Sequence, residues 1–311
     1  MTDGDGWRCL WDAKAILGES TVWDARDGCV YWVDIEAPTV NWFELSTGAK
    51  GSWTPPAWVS AMAPRAAGGF IASSADGIVH IDPKRQVYQP LLHPIPDPAK
   101  ARLNDGVTDR KGRYWTGSCD TAQWDDSTTA DDKESSLKDF EVRNTGELYR
   151  LDANGSVSTQ ERGIVTANGP AFSPDGKTAY VNDSMPLVTW AYDLDEQGAL
   201  SNRRDFLNFK PEDGYPDGMA VDVEGCIWVA FYESWKLRRF SPDATLIEER
   251  RLPVMRGLRP AFGGTNHDRL FLVTGSQGYS DERFGQEPLA GGLFEILAPP
   301  APGLPTIPFA G

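Results

Sequence analysis

The sequence predicts an all-β chain, a six-bladed β-propeller of four-stranded antiparallel blades, and three observations predict it. Tryptophan, tyrosine, glycine and proline are plentiful among the 311 residues, periodic apolar stretches of helical length are hard to find, and turn signals recur about every ten residues. A hexad that reads "NDGVTD" from Asn104 recurs as "ESTVWD" from Glu19, "VSAMAP" from Val59, "NGPAFS" from Asn168, "DGMAVD" from Asp217 and "LRPAFG" from Leu258. Behind each copy come a short turn, a second apolar strand, a third of alternating character and usually a weaker polar fourth. Four strands repeating at roughly 40 to 50 residues are the pattern of a propeller blade.

Taken in order, the second strands read "CVYWVDI", "GFIASS", "RYWTGS", "TAYVNDS", "CIWVAFY" and "RLFLVTG", and the third strands run from "TVNWFEL" to "GLFEIL". The last stretch, "APPAPGLPTIPFAG" at 298–311, is too rich in proline to sit inside a ladder. The chain opens instead on an orphan strand, "WRCLWD". Trp7 to Trp11 is therefore expected to form the outer strand of the last blade, sealing the ring and covering an exposed edge. No linker separates two halves, so 1–311 is expected to be one propeller domain with an acidic insertion at 119–145 and a Pro-rich tail at 298–311.

A net charge of −15 argues against nucleic-acid partners, whose phosphates require clustered Lys and Arg, and against anionic membranes. Cys9, Cys29, Cys119 and Cys226 are scattered and read as free thiols of a reducing compartment. The start lacks a basic and an apolar targeting region, and no apolar run is long enough to span a bilayer, so a cytoplasmic location is expected.

The first strand of each propeller blade lines the central channel, which makes the hexad starts neighbours around one mouth. They are Glu19, Val59, Asn104, Asn168, Asp217 and Leu258, and four of them carry a side-chain oxygen. Carboxylate and amide oxygens without thiolate or imidazole suit calcium, magnesium or manganese, less readily zinc. A cation would also relieve the repulsion of carboxylates converging in a channel. Asn and Asp also begin strands simply by bonding their own backbone. Recurrence in one register of a ring is what favours the ligand reading for Glu19, Asn168 and Asp217. His80, His93 and His267 match no metal spacing and read as structural or surface residues, and there is no GxSxG elbow.

The runs "LGESTVWD", "RLNDGVTDRKGRYWTGS", "NGPAFSPDGKTAYVNDS" and "YPDGMAVDVEGCIWVA", with "AFGG" ahead of the last blade, occur in an order and spacing that resembles the SMP-30/gluconolactonase (regucalcin-like, sugar-lactonase) family over nearly the whole chain. The resemblance implies a single divalent metal ion (calcium, magnesium, manganese, iron(II) or zinc) held by Glu19, Asn168 and Asp217. It implies substrate contacts from Arg102 and Asn104. The implied reaction is the opening of a sugar lactone to its aldonic acid, with the metal as Lewis acid and Asp217 accepting a proton from the attacking water.

Two departures stand out. The first motif reads Glu-Ser-Thr where Glu-Gly-Pro is usual. Beyond "YWTGS", where some members carry a substrate-contacting Glu, this chain has Cys119, Asp120, Thr121 and Ala122, so that contact is absent or falls to Asp120. Arg102 has an alternative role, pairing with a nearby acid such as Asp105, itself read as a turn or supporting residue. The insertion at 119–145 and the loop at 275–290 are expected on the mouth face, where the insertion is either a solvated acidic loop or a lid whose Trp124 stacks on a sugar ring. Hydrolysis of another ester or lactone, or calcium or ligand binding without turnover, are the alternative functions, since fold does not dictate function.

Overall fold

The computed structural model describes residues 6–121 and 143–311, so Trp124 and most of the acidic insertion lie outside the described residues. The described residues carry 24 strands arranged as six four-stranded antiparallel sheets, the blades of a six-bladed propeller. The inner strands are Gly18–Asp24, Val59–Pro64, Ala101–Thr108, Ala167–Phe172, Tyr215–Val221 and Gly257–Gly263, and each begins at or just ahead of a hexad. Each packs against the next and the sixth against the first, which closes the ring. The N-terminal strand Trp7–Trp11 pairs antiparallel with Leu293–Ile296 as the outer strand of the sixth blade, as the orphan strand predicted. Glu295 fastens that seam, accepting from Arg8 on one side and from Arg269 at 2.6 and 2.9 Å on the other.

The core lies between the blades. Tyr31, Val33 and Val40 of the first blade pack on Phe70, Val79 and Ile81 of the second. Trp115 and Leu148 pack on Phe172 and Tyr192 across the next-but-one junction, and Trp228 and Leu237 on Phe262 and Leu270 across the fifth. Trp32 and Phe271 close the sixth blade onto the first. Strands covered on both faces read as continuous apolar runs, which explains the second strands, and each fully buried large side chain contributes about 1.5–3 kcal/mol. Rim strands such as Leu200–Asn208 and Leu246–Arg251 are mostly exposed and correspondingly polar.

An aspartate that closes the hexad fixes the turn behind it. Asp109 accepts from the Lys111 and Arg113 amides at 2.8 and 3.1 Å and from Trp115 Nε1 at 2.8 Å. Asp222 repeats this with the Glu224 and Cys226 amides at 3.0 Å and Trp228 Nε1 at 3.2 Å. Each carboxylate thereby locks turn, inner strand and second-strand tryptophan together.

Two features were not legible in the hydrophobic pattern. The loop after the second strand of the sixth blade holds a six-residue helix, Asp281–Gln286, capped by Ser280 accepting from the Arg283 amide at 3.3 Å. It buries no side chain, so local capping rather than periodicity produces it. The Pro-rich tail stays out of the ladders, as expected, and crosses the floor of the channel. Leu304 N bonds Val221 O at 3.1 Å and Gly303 N bonds His267 O at 2.7 Å. Further on, Phe309 N bonds Pro64 O at 2.7 Å, and Arg110 donates to Pro305 O at 2.8 Å. Among the described residues no helix is long and apolar enough to cross a membrane.

Candidate functional site

All six inner strands break register at the same level. The shifts fall between Glu19 and Val22, Val59 and Ala61, Leu103 and Gly106, Asn168 and Ala171, Pro216 and Met219, and Gly257 and Arg259. A bulge leaves a residue outside the ladder and re-aims side chains. Here one or two residues at the start of each hexad, among them Ser20, Ser60, Asn104, Asp105, Gly169, Asp217 and Gly218, leave the ladder. Side-chain hydrogen bonds join neighbouring inner strands at this level. The Met62 amide donates to Ser20 Oγ at 2.7 Å, and Ser60 Oγ donates to Asn104 O at 2.7 Å. Thr21 Oγ1 likewise donates to Arg259 O at 2.7 Å, and Ser184 Oγ, just past the second strand of the fourth blade, donates to Pro216 O on the fifth inner strand at 2.7 Å.

The first layer contains the four oxygen-bearing residues that the hexad register singled out. Glu19, Asn104, Asn168 and Asp217 are all buried. Burial, reinforced by the charge of Asp105, pushes the Glu19 carboxyl up to about 8. Burial, then Glu19 and Asp105, hold Asp217 well above its ordinary value. Asp217 Oδ1 is buried with no hydrogen-bond partner among the described residues. Asn168 donates through Nδ2 to Ser184 Oγ at 2.8 Å and accepts at Oδ1 from Asn104 Nδ2 at 2.8 Å. Asn104 Nδ2 also donates to Ala167 O at 3.0 Å. Its amide hydrogens are thus used within the fold, and only its oxygen remains to face a ligand.

The second layer went unread in the sequence, although the second hexad positions, Ser20, Ser60, Asp105, Gly169, Gly218 and Arg259, place a carboxylate and a guanidinium in one ring. Asp105 turns to Arg259, from the opposite side of the channel, and not to Arg102. It also accepts from the Gly106 amide at 2.7 Å and the Gly169 amide at 2.9 Å. The glycines make room: a Cβ at Gly218 would lie 2.5 Å from Arg259 Cδ. Ser20 occupies the same place with φ of 54°, where the fourth blade has Gly169 at 81°. The Met62 amide bonded to its hydroxyl offsets the strain of a non-glycine residue in the left-handed region.

Beside the channel, Arg102 lies over the Trp58 ring at 5.6 Å and lines a cavity of about 430 Å³ with Glu36, Ser74 and His93. Asp120 ends the second strand of the same blade, where it accepts from the Thr145 hydroxyl at 3.1 Å, next to the insertion. On the far side of the bulges a smaller cavity of about 110 Å³ runs down to Pro305 and Ile307 of the tail.

The donor set at the mouth fits a hard divalent cation. It offers carboxylate and amide oxygens, a buried carboxylate oxygen without a partner among the described residues, and three acids, Glu19, Asp105 and Asp217, near the guanidinium groups of Arg259 and Arg102. Among the described residues the group of three acidic or thiol atoms lying within 4.8 Å of one another is not at the mouth but at Asp222, Glu224 and Cys226, and Arg239 fills it, bonding Asp222 at 2.8 Å and Glu224 at 2.6 Å.

Residues 17–276 match the model of the SMP-30/gluconolactonase/LRE-like region. The chain is 30% identical to regucalcin of Gallus gallus over 305 residues, covering 97% of this chain and 98% of that protein. It is 30% identical to a 6-deoxy-6-sulfogluconolactonase of Pseudomonas putida over 288 residues, covering 92% and 93%. Among solved structures, a calcium-binding regucalcin from Agrobacterium tumefaciens superposes with a TM-score of 0.87 at 24% identity, covering 98% of this chain and 97% of that one. A gluconolactonase from Xanthomonas campestris gives 0.73 at 22% identity, covering 94% and 89%. At those identities the two structures establish the fold alone. The chain belongs to the SMP-30/gluconolactonase/LRE-like family.

Proposed function

From membership of this family, we propose that the protein is a metal-dependent hydrolase that opens a sugar lactone, an aldonolactone, to its aldonic acid at the mouth of the channel. The observation that carries the reading is the buried, partnerless Oδ1 of Asp217 in one ring with Glu19 and Asn168. Similarity to a sulfogluconolactonase supports the substrate class. Glu19, Asn168 and Asp217 are the residues that would hold the ion, and calcium, magnesium or manganese suit them better than zinc or iron(II). When bound, the ion supplies Lewis acidity towards the lactone carbonyl.

The remaining steps belong to the chain. Asp217 takes a proton from the attacking water as the water oxygen bonds to the carbonyl carbon. The ring C–O bond then breaks and the proton ends on the ring oxygen, now a hydroxyl of the product. The product's carboxyl group releases the second proton to solvent. Arg102, over the Trp58 ring, and Asn104, through its remaining oxygen, orient the sugar hydroxyls. Asp120, in the same hairpin as Arg102, completes the proposed substrate contacts. Cysteines not joined by disulfides support a reducing, cytoplasmic setting, and the acidic chain supports a small-molecule substrate over a nucleic-acid or membrane partner.

The test is acid release from a panel of pentono- and hexonolactones by metal-stripped protein, with calcium, magnesium, manganese, iron(II) or zinc added back. Metal-restored turnover of one or two lactones is expected. Folded, metal-loaded protein that never exceeds spontaneous opening would leave a ligand-binding propeller or a hydrolase of another ester.

A further inference from the structure

We propose that Arg259 is a resident counter-cation of the metal centre: it holds Asp105 out of the donor set and its charge sets how tightly the divalent ion is bound. The inference rests on the reading that Glu19, Asn168 and Asp217 hold such an ion.

Arg259 reaches into the channel from the bulge of the sixth blade and ends on Asp105 of the third, the blade opposite in the ring. Both side chains are almost fully buried, at 7% and 2% exposure. A buried ion pair is costly to assemble unless further hydrogen bonds complete it, and Asp105 is completed by the Gly106 and Gly169 amides. Both of its oxygens are therefore occupied, which is why a third carboxylate can stand beside Glu19 and Asp217 without being a ligand.

The guanidinium reaches Asp105 by passing over Gly218, the residue next to Asp217, where any side chain would collide with Arg259 Cδ. Its positive charge faces Glu19, Asp105 and Asp217 alike. Glu19, Asp105 and Asp217 together with Arg259 sum to a formal −2 when the acids are ionised, and the charge of Arg102 is also felt at Glu19. Without Arg259 these three acids sum to −3, and Asp105 Oδ2 keeps the Gly169 amide as its one remaining partner.

Charge removal and simple loss of packing make opposite predictions. If Arg259 acts as a counter-cation, Arg259→Met binds manganese(II) about tenfold or more tightly by calorimetry on metal-stripped protein, since a unit charge a few ångströms away is only partly screened. Terbium(III), read by tryptophan-sensitised luminescence, should gain still more. Asp105→Asn removes a negative charge and leaves Arg259 unopposed, so its manganese affinity falls about tenfold or more. The double variant, with the formal charge back at −2, returns to within about threefold of the unaltered protein. Looser manganese binding in Arg259→Met overturns the proposal, as does unchanged binding.

Should Arg259→Met fail to fold, Asp105→Asn and Arg259→Lys decide. Arg259→Lys keeps the charge and is expected to stay near the unaltered affinity, while unchanged or tighter binding in Asp105→Asn overturns the proposal. Unaltered protein that binds no divalent ion would instead remove the metal reading itself. Unaltered protein that binds the ion while the variants break the expected signs removes only the role of Arg259.

Discussion

The inner strands end differently at the mouth and at the floor, although both ends carry acids. At the floor, Asp109 and Asp222 each meet two backbone amides, a tryptophan N–H and an arginine. Five residues back along the fifth inner strand, Asp217 keeps an oxygen with no partner and shares its surroundings with two more acids. The residue chemistry is the same and the hydrogen-bond supply is not. A saturated buried carboxylate is a structural lock, while an unsaturated one is stable only with something else bound or with its proton retained.

The contrast is broken most directly by exchanging the two roles. Asp217→Asn should lower lactone turnover by about a thousandfold or more, through loss of the proposed metal ligand and proton acceptor. Its metal-free form should nevertheless melt above the unaltered protein at pH 8, since a buried charge is gone; calorimetry beside the kinetic assay checks both.

Asp222→Asn should do the reverse. Breaking the buried Asp222–Arg239 pair, which leaves Arg239 only the exposed Glu224, costs about 3–5 kcal/mol and lowers Tm by about 10 °C. Turnover per folded molecule at low temperature should stay within about twofold of the unaltered protein, because Asp222 lies outside the mouth. A large fall in that turnover would show that floor and mouth are not separable.

Asp183 offers an intermediate case. It caps the approach to the fourth inner strand, accepting from the Val165 amide at 3.1 Å and the Thr166 amide at 2.9 Å, yet burial still raises its carboxyl from 3.8 to about 6. A raised folded value favours the protonated state, so its stabilisation is full below 3.8 and is lost as pH rises through 6. Urea unfolding should show Asp183→Asn gaining on the unaltered protein across that window, by about 3 kcal/mol at most. A pH-independent difference would mean that the amides already saturate Asp183.

The smallest effect is expected outside the channel. Trp58→Ala removes the aromatic face beneath Arg102 and should raise KM for lactones about three- to tenfold with metal affinity unchanged. A loss of metal binding would place Trp58 in the support of the centre.

The hexad made the blades and the mouth residues legible because burial in a closed ring repeats the same demand six times. The orphan strand Trp7–Trp11 was legible for a related reason, since an unpaired edge requires a partner. The tail's course over the floor was not, because proline excludes a ladder without saying where the chain goes instead. Nor was the use of the Asn104 amide hydrogens, which depends on Ala167 and Asn168 in the next blade.

By itself, the sequence determined the six-bladed architecture, its closure and the ring that holds Glu19, Asn104, Asn168 and Asp217, because these follow from local strand patterns repeated in register. Only the tertiary structure decided that Asp105 meets Arg259, 154 positions away along the chain. It alone decided that Gly218 leaves the path between them, and that one oxygen of Asp217 is left bare. Partners across a channel are chosen by the closure of the ring and by bulges that re-aim side chains, and neither leaves a mark in the spacing of any single strand.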